Sequence, residues 1–205
     1  VRPTAIVRAR IGGTGVPDDA SLASNSTSIH PRFECLASSE SGTTKKHSAS
    51  SVVVPRERKL YKVRDSKMLT AAEREVMHGR ITAWAEYVSI AHATQAECDA
   101  LGMSAAQKLA AQRALDGLGV PVDHCLVDGS WDFVETVPTT TLVKGDAKSL
   151  SIAAASIVAK VTRDQMMTRW HTVYPSYSFA GNKGYPCPRH KAALAAYGPS
   201  SIHRR

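Results

Sequence analysis

The sequence predicts an α/β fold, a sheet flanked by helices, and three observations carry that prediction. From Leu60 onward, short apolar segments of strand length alternate with longer segments of helical period. Two Thr-x-x-Glu capping boxes, Thr70 to Glu73 and Thr94 to Glu97, mark helix starts. Gly119 and Pro121 close a helix, and Asp128-Gly129 closes a strand.

The elements follow in order. After Thr70 a helix runs with Val76, Met77, Ile81 and Trp84 on one face. Tyr87 to Ala91 has strand character, and Thr94 caps the next helix. The Ala/Leu-rich stretch from Ser104 to Leu118 is a helix, followed by strands at His124 to Val127 and Thr139 to Val143. Ser149 to Trp170 is a long helix with Ile152, Ile157, Val158 and Val161 as its buried side.

Residues 1–59 differ from this pattern. Fifteen of these 59 residues are Ser or Thr, and Phe33 is the only aromatic. The run from Ser38 to Ser51 reads as solvated coil, because such a composition buries too little apolar surface to offset chain entropy. Only Ser51 to Val54 has strand character, ended by Pro55. The expected organisation is therefore an atypical, disordered segment 1–59 and a folded domain 60–205.

The formal charge of +8 suits a polyanionic partner, since clustered Lys and Arg release counterions from phosphates, and suits equally a soluble protein that is simply basic. Residues 1–59 hold nine Lys/Arg against five Asp/Glu, so half of the excess lies in the shorter segment. No eighteen-residue apolar window exists, which argues against a membrane helix. The start, Val1 to Ile11, lacks the apolar block of a secretory signal. Cys35, Cys98, Cys125 and Cys187 form no C-x-x-C pair, so reduced thiols in a cytoplasmic protein are expected; a monomer is expected as well.

Several residues could do chemistry. Asp128, at the end of an apolar strand, would stand at the sheet edge where α/β proteins hold ligands, although Asp-Gly by itself is more often a turn pair. Asp164 lies in the long helix with Lys160 four residues before it, the spacing of a surface ion pair. Lys144 and Lys148 precede that helix, where a phosphate could be held. Asp65 and Lys67 could be a solvated turn, Tyr185 a core or rim aromatic, His190 and His203 structural or rim residues, and Asp132 and Glu135 solvated surface.

These residues fall in blocks that resemble the ribonuclease HII (type 2 ribonuclease H) family over about residues 60–205. Lys144-Gly-Asp-Ala-Lys-Ser149 followed by Ser151 to Asp164 is similar to its signature stretch nearly letter for letter. Asp65-Ser-Lys67 with Leu69 resembles D-S-K-x-L, and Val127-Asp-Gly129 resembles an I-D-G strand end. Tyr174-Pro175, Phe179 and Lys183-Gly-Tyr185 resemble Y-P…G-F…H-K-G-Y. His190, Leu194, Gly198-Pro199 and His203-Arg204 resemble its closing H…L…G-P…H-R.

The resemblance implies a ribonuclease H-like mixed sheet flanked by helices, with a helical C-terminal extension. It implies an endonuclease that hydrolyses the RNA strand of RNA–DNA hybrids, or of DNA with embedded ribonucleotides, 5′ to a ribonucleotide, with Mg2+ or Mn2+. Asp128 and Asp164 would be catalytic metal ligands. Lys67, Lys144 and Lys148 would contact the substrate backbone, and Tyr185 would pack on the sugar at the ribose–deoxyribose junction.

The sequence departs from the family where it would supply D-E-x-G-R-G, whose Asp and Glu complete the metal set and whose backbone reads the 2′-hydroxyl. That motif is absent, and Asp18, Asp19, Glu34 and Glu40 are the acids before residue 48. Asn182 stands for the family's histidine, and Pro186-Cys187 for Gly-Thr. A displaced reading frame before residue 60, an eroded relative and a divergent enzyme are three accounts, in that order. The first strand is expected to be absent or disordered. The alternative function is a non-catalytic hybrid- or DNA-binding remnant without a complete two-metal site.

Overall fold

The computed structural model describes residues 4–7, 48–55, 60–63 and 66–204. Among the described residues five strands form one mixed sheet: β1 (Thr4–Val7), β2 (Ser48–Val53), β3 (Tyr87–His92), β4 (Cys125–Asp128) and β5 (Thr139–Leu142). Their order is β3-β2-β1-β4-β5. β2 pairs antiparallel with β3, and β4 pairs parallel with β5. β1 joins the two pairs, parallel to β2 and antiparallel to β4, with Ile6 opposite Val127.

Helices cover both faces. α1 (Ala71–Trp84) and α5 (Leu150–Val173) lie on one side, α2 (Gln95–Leu101) and α3 (Met103–Asp116) on the other. The period-two alternation of strands assigns the layers: Val52 joins the α1–α5 core, whereas Ala49, Val53, Cys125 and Val127 join the α2–α3 core. The short helices α4 (Gly145–Lys148), α6 (Phe179–Asn182) and α7 (Pro188–Tyr197) complete the chain. A third cluster, with Met166, Met167, Tyr177, Phe179 and Ile202, packs α7 and the closing turn against the end of α5. This is the expected helical extension.

Both capping boxes form. The Thr70 N–H donates to Glu73 Oε2 at 2.7 Å and the Glu73 N–H to Thr70 Oγ1 at 3.3 Å; Thr94 and Glu97 repeat the exchange at 2.8 and 3.1 Å. Two orphan donors are thereby satisfied at each helix start. Met77, Ile81 and Trp84 are buried as expected, but Val76 is 66% exposed. It lies off the face that Met77, Ile81 and Trp84 bury.

The Ser-rich segment gives the largest difference from expectation. Its end, Ser48 to Ser51, lies in β2, with Ser50 and Ser51 fully buried. For Ser50 the reason is the close approach of α5, which turns Ala153, Ala154 and Ala155 toward its neighbours; Ser51, on the same face as Ala49 and Val53, is covered from the α2–α3 side. Ser50 Oγ donates to the Ala155 carbonyl at 2.7 Å, satisfying a hydroxyl that would be costly to bury alone. A further strand, Thr4–Val7, also stands where no N-terminal strand was expected. The disorder expected for the rest of 1–59 falls on residues outside those described.

Candidate active site

Most of the sequence-chosen residues fall into two bonded groups, one preceding α5 and one within and after it. The first is the end of β4. Asp128 is half-buried there, and its Oδ1 accepts the Gly145 N–H at 2.8 Å. The Gly129 N–H donates to the Leu142 carbonyl at 3.0 Å, which locks the two parallel strand ends together. Asp128 is thus held by the segment that follows β5, rather than lying in a free surface turn. Lys144 sits in the left-handed region, φ 56°, and begins α4; Lys148 ends it, and both side chains are exposed. The geometry that presents them depends on Gly145, where a Cβ would stand 2.6 Å from Ile152 Cδ1. α5 follows at once, with the Ser149 hydroxyl accepting from the Ile152 N–H at 3.5 Å.

The second place surrounds Asp164. Lys160 Nζ lies 2.5 Å from both carboxylate oxygens, and both side chains are less than one-fifth exposed. The expected surface ion pair is therefore half-buried, where screening by salt is weaker. Arg163 was not singled out from the sequence, yet it is the hub of this region. Its guanidinium lies 3.5 Å from Asp164 Oδ1, donates to the Lys183 carbonyl at 3.0 Å and stands 4.6 Å from the Tyr185 ring centroid. Lys160 Nζ is 5.4 Å from the same centroid. The signal that could have found Arg163 is a charged residue on the buried side of an apolar helix, which must have partners. Tyr185 itself is 44% exposed, a rim aromatic backed by two cations rather than a core residue.

The loop carrying Tyr185 accounts for Asn182. Its Nδ2 donates to the Tyr177 carbonyl at 2.7 Å and its Oδ1 accepts the Gly184 N–H at 2.7 Å. The amide thus closes the turn from both ends. Lys67 lies in the 3-10 turn Ser66–Met68, and Asp65 lies outside the described residues. His190 and His203 are fully buried against each other, so the structural reading of both holds and the rim reading does not. Asp132 and Glu135 are exposed as expected: Asp132 accepts the Val134 N–H at 2.9 Å and Glu135 pairs with Lys108.

A two-ion centre needs several oxygen ligands around ions about 3.5–4 Å apart. Among the described residues no three His, Cys, Asp or Glu side chains converge to hold a metal. Asp128 gives one oxygen to Gly145, and Lys160 engages both oxygens of Asp164. The strand beside β4 reads Thr-Ala-Ile-Val and brings no acid to this edge. The described residues alone do not fit a divalent ion pair. No helix among them is long and apolar enough to cross a membrane.

Comparison with known proteins bears on the family of the chain. The family model described as Ribonuclease HII matches residues 48–205. The match starts upstream of residue 60 and takes in β2. Ribonuclease HII of Geobacter metallireducens is 43% identical over 157 residues, covering 77% of this chain and 74% of that protein. Ribonuclease HII of Streptomyces avermitilis is 44% identical over 141 residues, covering 68% of this chain and 60% of that protein; the chain thus spans less than two-thirds of that relative's length. The crystal structure of ribonuclease H2 from Pyrococcus horikoshii OT3 superposes with a TM-score of 0.57 at 28% identity, over 66% of this chain and 70% of that one. Ribonuclease HII in the PCNA complex from Archaeoglobus fulgidus superposes with a TM-score of 0.65 at 22% identity, over 83% and 90%, which supports the fold alone. With its family model matched across most of the chain, this protein belongs to the ribonuclease HII family.

Proposed function

We propose that this protein acts on RNA–DNA hybrids, and on DNA with embedded ribonucleotides, as an endonuclease that hydrolyses the RNA strand 5′ to a ribonucleotide. The products would carry a 3′-hydroxyl and a 5′-phosphate. The observation that supports this reading best is the exposed Tyr185 ring beside Asp164, with Arg163 bridging the two. An aromatic rim next to a carboxylate suits a sugar stacked beside a scissile phosphate. Lys144 and Lys148, exposed next to Asp128, would neutralise backbone phosphates, as would Lys67. Asp128 and Asp164 would hold part of the metal set, magnesium or manganese by the resemblance. The remaining acids must come from beyond the described residues, where Asp18, Asp19, Glu34 and Glu40 lie.

A second reading, a non-catalytic hybrid binder, is favoured by one observation: the strand neighbouring Asp128 carries no carboxylate. One experiment separates the two. The chain, Asp128→Asn and Asp164→Asn are incubated with a duplex containing one ribonucleotide, with magnesium or manganese, and both binding and cleavage are followed. The nuclease reading expects salt-dependent binding and slow cutting 5′ to the ribonucleotide, abolished by either substitution. Binding without any cutting assigns the protein to the second reading. Cutting that survives both substitutions removes these aspartates from the site.

A further inference from the structure

The C-terminal histidines have no part in the chemistry above, yet their hydrogen bonds admit a single arrangement of protons. The Ser200 N–H donates to His203 Nδ1 at 3.0 Å, and Ser200 Oγ lies 2.7 Å from the same nitrogen. A backbone N–H can only donate, so His203 Nδ1 carries a lone pair and the ring proton sits on Nε2. His203 Nε2 lies 3.0 Å from His190 Nε2. Since the first donates, the second accepts, and the His190 proton sits on Nδ1. That nitrogen is 3.0 Å from the Tyr185 carbonyl, which can only accept. With the Ser200 N–H as donor, the chain runs in one direction, from Ser200 through two neutral imidazoles to Tyr185.

The surroundings hold this arrangement. His190 and His203 are 0% and 1% exposed. The Phe179 ring lies 5.5 and 5.6 Å from the two imidazole centroids, and the Tyr177 ring 6.2 and 4.9 Å. Neutral rings with every nitrogen paired suit such a site; a second proton on either would set two N–H groups face to face. The Tyr185 carbonyl also accepts the Cys187 N–H at 2.8 Å, so its peptide is held from two sides just before α7 begins. On the other side of the residue, the ring rests beside Arg163.

We propose that His190 and His203 are positioning residues: a buried neutral imidazole pair, with its proton on Nδ1 of His190 and on Nε2 of His203, that fixes the Tyr185 backbone and so holds its ring on Arg163 for stacking on the hybrid. The stacking role rests on the function proposed above; the anchoring does not. This relay explains why a closing segment distant in sequence is folded back onto the site: it sets the height and tilt of the aromatic rim.

The experiment uses the full chain labelled with 15N. Long-range 15N–1H spectra should show His190 as the Nδ1–H tautomer and His203 as the Nε2–H tautomer. Two Nε2–H rings, or a charged one at neutral pH, would overturn the proposal without any variant having to fold. His190→Asn places an amide donor near the Nδ1 position and His190→Gln does not. The Arg163 side-chain N–H resonance, displaced by the Tyr185 ring current, should stay displaced in His190→Asn and collapse in His190→Gln. An unchanged resonance in a folded His190→Gln also overturns the anchor. Hybrid affinity should fall roughly five- to tenfold in His190→Gln, the size of one lost hydrogen bond. It should fall no further when the change is added to Tyr185→Ala. A collapsed resonance with unchanged hybrid affinity keeps the anchor and instead overturns the hybrid reading of Tyr185.

Discussion

Asp128 Oδ1 accepts the Gly145 N–H at 2.8 Å, so the carboxylate that ends β4 also fastens the turn that ends β5. One side chain serves two ends, and the two roles can be separated by chemistry. Asn keeps the carbonyl oxygen that accepts this bond but loses the charge. Asp128→Asn is therefore expected to unfold within about 0.5 kcal/mol of the native chain while losing any cleavage. Asp128→Ala, which leaves the Gly145 N–H without its acceptor, should cost about 1–2 kcal/mol. Urea unfolding of both variants checks this, and equal destabilisation of the two would refute the separation.

Replacing residues 1–47 with a strand bearing D-E-x-G-R-G tests the missing acids directly. In the present structure the strand beside β4 pairs Ile6 with Val127, one residue from Asp128, so acids carried there would enter the same sheet edge. The graft should cut an embedded ribonucleotide far faster than the native chain, and Asp128→Asn within the graft should abolish the gain. Robust cutting by the native chain would show that the pair is not needed. At the level of the gene, translation of the other two frames upstream of the Leu60 codon is expected to reveal an acidic pair followed by Gly-Arg-Gly. A genome with no such frame favours erosion.

The two buried serines of β2 should respond oppositely to alanine. Ser50 Oγ has the Ala155 carbonyl at 2.7 Å, whereas Ser51 Oγ has no hydrogen-bond partner among the described residues. Ser50→Ala is expected to destabilise by about 1 kcal/mol, and Ser51→Ala to be neutral or stabilising because it removes an unsatisfied hydroxyl. Thermal denaturation of the pair reads the contrast, and a Ser51→Ala that costs as much as Ser50→Ala would contradict it.

Acid should weaken the α2–α3 layer through Glu97. The Arg113 guanidinium bonded to its carboxylate holds Glu97 down to about 2, with the Thr94 cap helping and burial opposing. The folded group is depressed below its usual 4.5. Its contribution is therefore complete above that value and is lost as pH falls toward 2. Because the pair is partly exposed, solvent screening limits the loss to about 1 kcal/mol. The native chain should lose more stability than Glu97→Gln between about pH 6 and about pH 3. Parallel loss in the two would dismiss the ion pair as the cause.

Thiol labelling offers a check on the core. Burial pushes Cys98 up to about 11 and Cys125 up to about 12, so neither forms thiolate near neutral pH. An alkylating reagent at about pH 8 should modify Cys187, which is only half-buried, well before either of them. Mass spectrometry of the labelled peptides decides it, and early labelling of Cys125 would mean that β4 is less covered than described.

The linear sequence alone carried whatever depends on neighbours a few residues apart. The capping boxes at Thr70 and Thr94, the strand stop at Asp128-Gly129 and the apolar side of α5 are contacts at fixed short spacing, set by backbone geometry before any packing. The ordered motifs likewise identified the family. What only the tertiary structure decided involves partners far apart in the chain. Ser50 looks like solvated coil until α5 arrives 105 residues later to cover it. Arg163 is one more helix charge until the Lys183 carbonyl and Tyr185 ring close over it. His190 and His203 become a directed pair only when the closing turn brings Ser200 against them. Burial and hydrogen bonding assign roles to such residues, and both are made by the fold rather than by the order of the chain.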